Sequence, residues 1–218
     1  MSGWLEHPLL AAAGVRHGFG LRTSPALAGV RRPVQVHGAA VVRADSAAPL
    51  GEADAALATR PGVAVGVVTA DCVPVLVAAG GAVAAVHAGW RGLARGVIPR
   101  ALEALSDAAP GAEAVAAVGP CIGACCYEVD APVLDALGRR FGAALAGALR
   151  ATRPDHALLD LPALAREALL AAGLAPARIG AVAGACTRCD AARFHSFRRD
   201  GAAAGRLLSW IEAPRGPV

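Results

Sequence analysis

Runs of apolar residues alternate with short polar or glycine-rich segments along most of the chain. Short Val- and Ala-rich runs between turn residues are typical of β-strands, whereas longer runs with apolar residues three and four apart are typical of helices. We predict strands at residues 34–36, 39–43, 63–68, 73–78, 82–86, 114–118 and 179–182, and helices at 93–105, 132–149 and 162–172. Because strands outnumber helices and several are adjacent hairpins, the pattern predicts an α+β fold with a mixed or antiparallel sheet, in one domain over residues 1–218.

Start and stop signals mark the ends of the predicted helices. Asp130 and Asp160 each stand just before a helix with proline in its first turn, so we expect both to be N-caps. Gly173 lies where a helix C-terminus favours a left-handed residue. Pro99 is expected to bend or split the first helix.

The segment 72–87 predicts a β-hairpin that brings a thiol close to an imidazole. If Gly80 and Gly81 form a two-residue turn, His87 faces Pro74 on the neighbouring strand. Cys72 lies two residues before Pro74 and therefore shares its face, which makes Cys72 and His87 diagonal neighbours with Cβ atoms about 7 Å apart or less.

That proximity leaves two chemical interpretations open. Cys72 and His87 form either a thiolate nucleophile with its base or two ligands of a metal ion. His37, which ends the short predicted strand at 34–36, is the nearest further donor. Three such ligands would leave zinc an open fourth position, as in catalytic sites. Ordinary core or surface histidines are the competing explanation.

The composition argues against disorder, nucleic-acid binding and a membrane-spanning segment. With 56% hydrophobic and 17% charged residues, the chain is not expected to be disordered. All 21 basic residues are arginine, but the net charge is only +4 and no block of five like charges occurs, so we expect no nucleic-acid partner. Residues 72–90 carry no charged side chain, yet Pro74 and the glycine pair argue against a membrane helix there.

The cysteines point to a reducing compartment. The apolar run 9–15 has no basic segment before it, so we do not expect a secretory signal. Six cysteines without one indicate reduced thiols in the cytoplasm. Cys186-x-x-Cys189 has metal or redox spacing, and Cys121, Cys125 and Cys126 could complete a second site, although no zinc-ribbon spacing appears. Burial as small apolar residues is the alternative.

Seven short motifs occur in order over nearly the whole chain. They are Gln-Val-His-Gly at 35–38, Thr-Ala-Asp-Cys-Val-Pro-Val-Leu at 69–76, Ala-Val-His-Ala-Gly-Trp-Arg-Gly at 85–92, Gly-Pro-Cys-Ile-Gly at 119–123, Cys-Tyr-Glu-Val at 126–129, Cys-Thr-Arg-Cys-Asp at 186–190 and Phe-His-Ser-Phe-Arg-Arg-Asp-Gly at 194–201. Together they resemble the motifs of the YfiH family, also called the laccase-domain or polyphenol oxidase family. The resemblance implies a four-layer α/β/β/α fold related to cysteine-dependent deamidating toxins. It also implies zinc bound by His37, Cys72 and His87.

The activity that the resemblance implies is that of a purine nucleoside phosphorylase. Its substrates would be phosphate and adenosine, inosine, guanosine or methylthioadenosine, and adenosine deamination would be a second activity. The older laccase label implies copper, but six histidines are too few for a multicopper cluster, so we expect zinc.

Individual roles follow from what these two reactions require. Asp71, Cys72, His87 and Arg91 are the expected catalytic residues, and Asp71 is either a proton shuttle or a structural aspartate at a strand start. Arg91, at the start of a helix, is expected to bind phosphate. The remaining expected substrate-binding residues are Arg22, Cys121, Arg198 and Arg199, with a surface ion pair as the alternative for one of the last two.

The N-terminal part departs from the family pattern. The Gly-Phe-Gly-Leu-Arg segment at 18–22 reaches Gln35 in only thirteen residues, without an asparagine, whereas the longer family loop is thought to help hold the nucleoside. Two other functions stay open, and the shortened loop is the reason for the second of them. One is a metal-free cysteine hydrolase or deamidase that uses Cys72 and His87, and the other is a purine- or metal-binding protein without turnover. We expect a monomer or small homo-oligomer.

Overall fold

The computed structural model describes residues 3–216 and shows a mixed α+β fold with several β-sheets. The strands are β1 Trp4–Leu5, β2 His17–Gly20, β3 Val41–Arg43, β4 Ala55–Ala58, β5 Ala64–Thr69, β6 Val73–Ala79, β7 Ala82–Ala88, β8 Val115–Val118, β9 Glu128–Asp130, β10 Leu149–Arg153, β11 His156–Leu159, β12 Ile179–Ala181 and β13 Leu207–Glu212. The α-helices are α1 Pro8–Ala12, α2 Trp90–Arg95, α3 Val97–Ala108, α4 Ala131–Phe141, α5 Leu161–Ala171 and α6 Phe197–Asp200, and 3-10 helices span Gly142–Ala148, Pro176–Arg178 and Gly201–Ala203.

The predicted hairpin forms the centre of a six-stranded sheet with the order β12-β8-β6-β7-β4-β3. Every residue of β6 and β7 is buried, and Pro74 pairs with His87 as predicted. Gly80 and Gly81 have φ values of 52° and 88°, a conformation that suits a tight hairpin turn and that glycine adopts without strain. The hairpin and its register are confirmed.

The six-stranded sheet packs on both faces. Val75 and Val77 belong to a core shared with residues of α3 and α5. Leu76 and Ala78 point to the other face, into a core shared with the four-stranded sheet β1-β2-β13-β5. The mixed α+β class is therefore confirmed, whereas the four-layer order, the relationship to deamidating toxins and the extent of the domain over residues 1–218 stay predictions.

Two predicted helices are divided by glycines. Where one helix was predicted at 93–105, the structure has two, α2 and α3. The break between them lies at Gly96, whose φ is 78°. Pro99 does not split the helix, because it lies in the first turn of α3, where no intrahelical hydrogen bond is lost. The predicted helix 132–149 ends at Phe141, since Gly142 has a φ of 54° and starts a 3-10 helix.

The predicted helix-capping residues are confirmed in part. Asp160 accepts a hydrogen bond from the Ala163 backbone N–H, as an N-cap should. Asp130 occupies the N-cap position of α4 but makes no side-chain cap bond. Gly173 follows α5 with a φ of 94°, as expected. Within residues 3–216, no helix is long and apolar enough to cross a membrane.

Candidate active site and metal centre

His37, Cys72 and His87 converge at one end of the central hairpin. Cys72 immediately precedes β6, His87 lies near the end of β7, and His37 approaches from the loop before β3. One ligand atom of each lies within 4.8 Å of the others, and the two imidazole rings meet edge to face with centroids 4.8 Å apart. His87 is buried and His37 is exposed, so the group is open on one side. The structure therefore assembles the three predicted ligands.

Asp54, which precedes β4 and is fully buried, organises two of these ligands. Its Oδ1 accepts a hydrogen bond from His87 Nδ1 at 2.7 Å and from the His37 backbone N–H at 2.9 Å. Its Oδ2 accepts from the N–H groups of Val36 and Gly38. Gathering three consecutive N–H groups on one carboxylate is incompatible with a strand.

The hydrogen bonds to Asp54 hold the backbone at His37 in a conformation that a strand does not have. Its φ is 56°, in the left-handed region, and the predicted strand 34–36 does not form. Gln35 instead uses its side-chain amide to bond the backbone of Val68, at 2.8 Å to the carbonyl and 2.7 Å to the N–H. The loop is thus fixed by side chains, which strand propensity does not reveal.

The electrostatics of the group favour a thiolate beside an imidazolium. Burial raises the pKa of the Cys72 thiol, but hydrogen bonds with His37 and His87 outweigh it, so this pKa falls to about 7. Burial likewise opposes charge on His87, yet the hydrogen bonds with Asp54 and Cys72 raise its pKa to about 9. The pKa of Asp54 is lowered, because its bonds to His87 and to the Gly38 N–H outweigh its burial.

These residues fit a zinc ion. Two imidazoles and a thiol are the donors that zinc prefers, and a carboxylate on the outer nitrogen of a ligating histidine is the usual supporting contact. Gly89 leaves room for the group, because a Cβ there would lie 2.8 Å from Cys72 Sγ. A metal ion in place of the thiol proton would satisfy all three inward-facing donors.

A cavity of about 640 Å³ opens beside the three ligands. This volume is in the usual range of small-molecule sites. Its wall contains Pro33, Gln35, His37, Val68, Thr69, Ala70, Asp71, Cys72, His87, Trp90, Arg91, Tyr127, Phe197, Arg198 and Arg206. The shortened N-terminal loop thus still contributes Pro33 and Gln35.

The cavity wall combines arginines with aromatic rings. The Arg91 guanidinium stacks over Trp90 at 4.3 Å, and that of Arg198 over Tyr127 at 4.9 Å. Within residues 3–216, neither of these arginines nor Arg206 forms a salt bridge. The wall is therefore cationic and suits a bound phosphate, which guanidinium groups bind through paired hydrogen bonds.

Asp71 lies in the cavity wall with a left-handed backbone, at a φ of 91°. The chain is therefore irregular there, so Asp71 reaches the same cavity as its neighbour Cys72. Its Oδ1 accepts a hydrogen bond from Thr187 Oγ1 at 2.6 Å, and its Oδ2 accepts from Ser196 Oγ and from the Arg198 N–H. Both oxygens are occupied, which favours the structural alternative over the proton shuttle.

Three predicted substrate-binding residues lie outside the cavity wall. Arg22 is exposed and donates to the Ala191 carbonyl. Cys121 is buried in the hydrophobic core. Arg199 forms an ion pair with Asp200 at 2.8 Å and donates to the carbonyls of the 187–194 loop. Arg198 thus faces the cavity while Arg199 makes the ion pair, which is the alternative the sequence left open.

Sequence reasoning missed Asp54, Gln35, Trp90, Tyr127, Phe197 and Arg206. Gln35, Trp90, Tyr127 and Phe197 belong to the quoted motifs, but no role was assigned to them there. Asp54 is one of 17 acidic residues, and no spacing distinguishes it from the others.

The sequence of this chain is similar to those of several known proteins. A family model described as multi-copper polyphenol oxidoreductase laccase matches residues 20–213. Purine nucleoside phosphorylase PA4543 of Pseudomonas aeruginosa is 40% identical over 182 residues, which cover 82% of this chain and 72% of that protein. Purine nucleoside phosphorylase YfiH of Escherichia coli is 36% identical over 180 residues, covering 81% and 71%.

Solved structures show the same fold. The crystal structure of YlmD from Geobacillus stearothermophilus matches with a TM-score of 0.84 and 28% identity, covering 97% of this chain and 96% of that one. The Neisseria meningitidis protein NMB0706 matches with a TM-score of 0.77 and 38% identity, covering 85% and 75%.

Proposed function

Because this chain belongs to the YfiH family of laccase-domain proteins, we propose that it is a zinc-dependent purine nucleoside phosphorylase. Its substrates would be phosphate and adenosine, inosine, guanosine or methylthioadenosine, and its products the free base and the pentose 1-phosphate. The observation that carries the proposal is the cationic, aromatic cavity that opens onto His37, Cys72 and His87. A cytoplasmic location and a monomeric or small homo-oligomeric state remain predictions.

His37, Cys72 and His87 would hold the zinc ion. When bound, it would supply a Lewis acid at the edge of the cavity. Among residues 3–216, the metal-ligand groups contain His37 and His87 as their only histidines. A multicopper centre needs more imidazoles than that, so the donor set favours zinc over copper.

The phosphate would bind against the arginines. In phosphorolysis, a phosphate oxygen forms a bond to the ribose C1′ while the bond from C1′ to the purine nitrogen breaks. The electron pair goes to the purine, which takes up a proton. Arg91 and Arg198 would hold the phosphate and offset its charge, because their guanidinium groups have no carboxylate partner within residues 3–216.

The purine would bind among the aromatic side chains. Phe197 is 55% exposed and lies in the cavity wall, where its ring offers an open face. Tyr127 is half-buried, and its pKa is raised to about 12 by burial and by the Cys72 thiolate, so its hydroxyl remains a hydrogen-bond donor. These two rings would stack on the base or contact its edge and thereby set its orientation.

Asp71 is proposed as a positioning residue. Its carboxylate holds Thr187, Ser196 and the backbone of Arg198 in place, and thereby the arginine at the phosphate. In an Asp71→Asn variant, a positioning role predicts a raised KM for phosphate and an unchanged pH profile of kcat. Loss of one limb of that profile would instead identify Asp71 as the proton shuttle.

Adenosine deamination at the same cavity is a second proposed activity. In this reaction water adds to C6 of the purine, ammonia leaves, and inosine is formed. The exposed face of His37 favours it, because water can reach the metal-ligand group from the cavity side.

The test is incubation of the purified protein with adenosine, with and without phosphate, followed by chromatography of the products. We expect adenine and ribose 1-phosphate only when phosphate is present, and inosine in either case if deamination occurs. Arg91→Ala, in the cavity wall, should slow the phosphate-dependent reaction. Its matched control is Arg100→Ala, which changes an exposed arginine on α3 and should leave the rate unchanged. Tight nucleoside binding without any product would contradict the proposal and identify a binding protein.

A further inference from the structure

Four of the six cysteines form a cluster apart from His37, Cys72 and His87. Cys125, Cys126, Cys186 and Cys189 each offer a sulfur, and all four sulfurs lie within 4.8 Å of one another. No disulfide forms among the described cysteines. The proposed reaction does not use these thiols, so their convergence needs its own explanation.

The fold brings these thiols together from two distant segments. The neighbouring strands β8 and β12 run parallel, and the segments that follow them stay paired through a bridge between Cys121 and Cys186. The Cys121 carbonyl accepts a hydrogen bond from the Thr187 N–H at 3.0 Å. Tight turns at 124–126 and 187–189 then direct the side chains towards one point.

The spacing of the sulfurs suits one tetrahedral ion. Zinc–sulfur bonds of about 2.3 Å place the sulfurs of a tetrahedral site about 3.8 Å apart. The Cys189 sulfur lies 3.5 Å from that of Cys125 and 3.2 Å from that of Cys126. In a disulfide the two sulfurs would be about 2.05 Å apart. A disulfide also joins only two sulfurs, whereas four converge here.

The surroundings of the cluster also match a thiolate site. The Gly123 N–H donates to Cys186 Sγ at 3.3 Å, which is the type of backbone contact that supports metal-bound sulfur. The Arg188 guanidinium interacts electrostatically with Cys126, Cys186 and Cys189 and would offset part of the negative charge of four thiolates. The cluster therefore has the type, number and spacing of ligands that a zinc site needs, and neighbouring groups that support them.

We infer that Cys125, Cys126, Cys186 and Cys189 form a structural zinc site that fastens the 121–126 loop to the 186–189 loop. Four protein ligands leave no open position, so the ion would have no direct part in catalysis. It would support the cavity wall, since Thr187 bonds Asp71 and Tyr127 follows Cys126.

The experiment measures zinc and thiols on the purified, reduced protein after brief treatment with a weak chelator. We expect two zinc ions per chain in the wild type, one in Cys125→Ser, one in His37→Gly and two in Cys121→Ala. Cys121→Ala is the matched control, because Cys121 is the described cysteine that belongs to neither metal-ligand group.

Two spectroscopic readouts on the wild type keep the test independent of how the variants fold. Cobalt substituted for zinc should show strong thiolate-to-cobalt charge transfer. X-ray absorption should show a zinc environment dominated by sulfur. A mercurial reagent should release the second zinc as these thiols react.

Three outcomes would overturn the inference. One zinc per chain in the wild type, with the four thiols freely reactive, would show that no metal binds there. Disulfides in the protein purified without reductant, with no second metal on reduction, would identify a redox pair. Iron in place of zinc after growth with both metals would contradict the assignment of the ion.

Discussion

The two metal-ligand groups differ in how the chain builds them. His37, Cys72 and His87 lie at the end of a buried hairpin, and a buried carboxylate holds two of them. The four cysteines lie in or next to the turns of two loops, and Cys125 and Cys189 are exposed. A site for chemistry needs an open coordination position on a rigid base, whereas a site that fastens loops needs all its ligands from the protein.

The largest effect should come from breaking the first group at its exposed member. His37→Gly removes a proposed zinc ligand, and glycine accepts the backbone φ of 56° without strain. We expect kcat/KM for phosphorolysis to fall about 1,000-fold, since a metal contributes several kcal/mol of transition-state stabilisation. Steady-state kinetics with metal analysis measures it. Retained activity would point to the metal-free pair of Cys72 and His87.

The next effect concerns the carboxylate that holds the first group. Asp54→Asn keeps the shape but weakens the bonds to His87 and to the 36–38 backbone. Loss of such a supporting contact costs about 10- to 100-fold in metal affinity or activity. A zinc competition assay with a chromophoric chelator measures the affinity. Unchanged zinc affinity would show that Asp54 serves the fold alone.

These two predictions mark what the sequence could and could not reveal. The turn glycines fixed the register of the hairpin, so the approach of Cys72 to His87 followed from alternation alone. Nothing in the sequence indicated that Asp54 would gather three backbone N–H groups, and the strand predicted at 34–36 was therefore wrong. The cysteine cluster depends on the parallel pairing of β8 and β12, a contact between segments far apart in sequence.

The arginines of the cavity should affect phosphate more than nucleoside. Arg198→Ala keeps the backbone N–H that bonds Asp71 and removes the guanidinium, with its stack on Tyr127 and its hydrogen bond to the Glu128 carbonyl. We expect the KM for phosphate to rise about 10- to 30-fold, equivalent to about 1.4–2 kcal/mol for hydrogen bonds to a charged group. Initial rates at varied phosphate measure it, with Arg100→Ala as the control. A change confined to the nucleoside KM would assign Arg198 to the sugar or base.

Breaking the second group should cost less activity. With Cys125→Ser and Cys189→Ser combined, the open site keeps its three ligands while the loops lose their fastening. We expect kcat/KM to fall less than about tenfold, which corresponds to about 1.4 kcal/mol. The thermal midpoint should drop below that of the zinc-loaded wild type, and added zinc should not restore it. A loss as large as that of His37→Gly would mean that the four cysteines act in the chemistry.

The smallest effect on activity is expected at Asp45, remote from both groups. Its carboxylate accepts hydrogen bonds from the backbone of Thr59 and Arg60, from the Thr59 hydroxyl and from Arg43. Although burial opposes it, these donors lower the pKa of Asp45 to about 2. We expect Asp45→Asn to lower the free energy of unfolding by about 1–2 kcal/mol near neutral pH, with unchanged activity.

The pH dependence of that loss has a definite sign. A lowered pKa stabilises the fold above the ordinary carboxyl pKa near 4. The contribution disappears as the pH falls through about 2. Urea unfolding of both proteins from pH 6 downward checks this, and an equal difference at all pH values would contradict the assigned cause.

The central claim is that zinc at His37, Cys72 and His87 supports phosphorolysis in the adjoining cavity. Its most direct test is a zinc titration of the metal-free Cys125→Ser, Cys189→Ser variant, in which one metal site remains, followed by phosphate-dependent release of hypoxanthine from inosine. We predict that activity rises linearly with zinc and stops at one equivalent per chain. Full activity before any zinc is added, or activity that is indifferent to phosphate, would contradict the account.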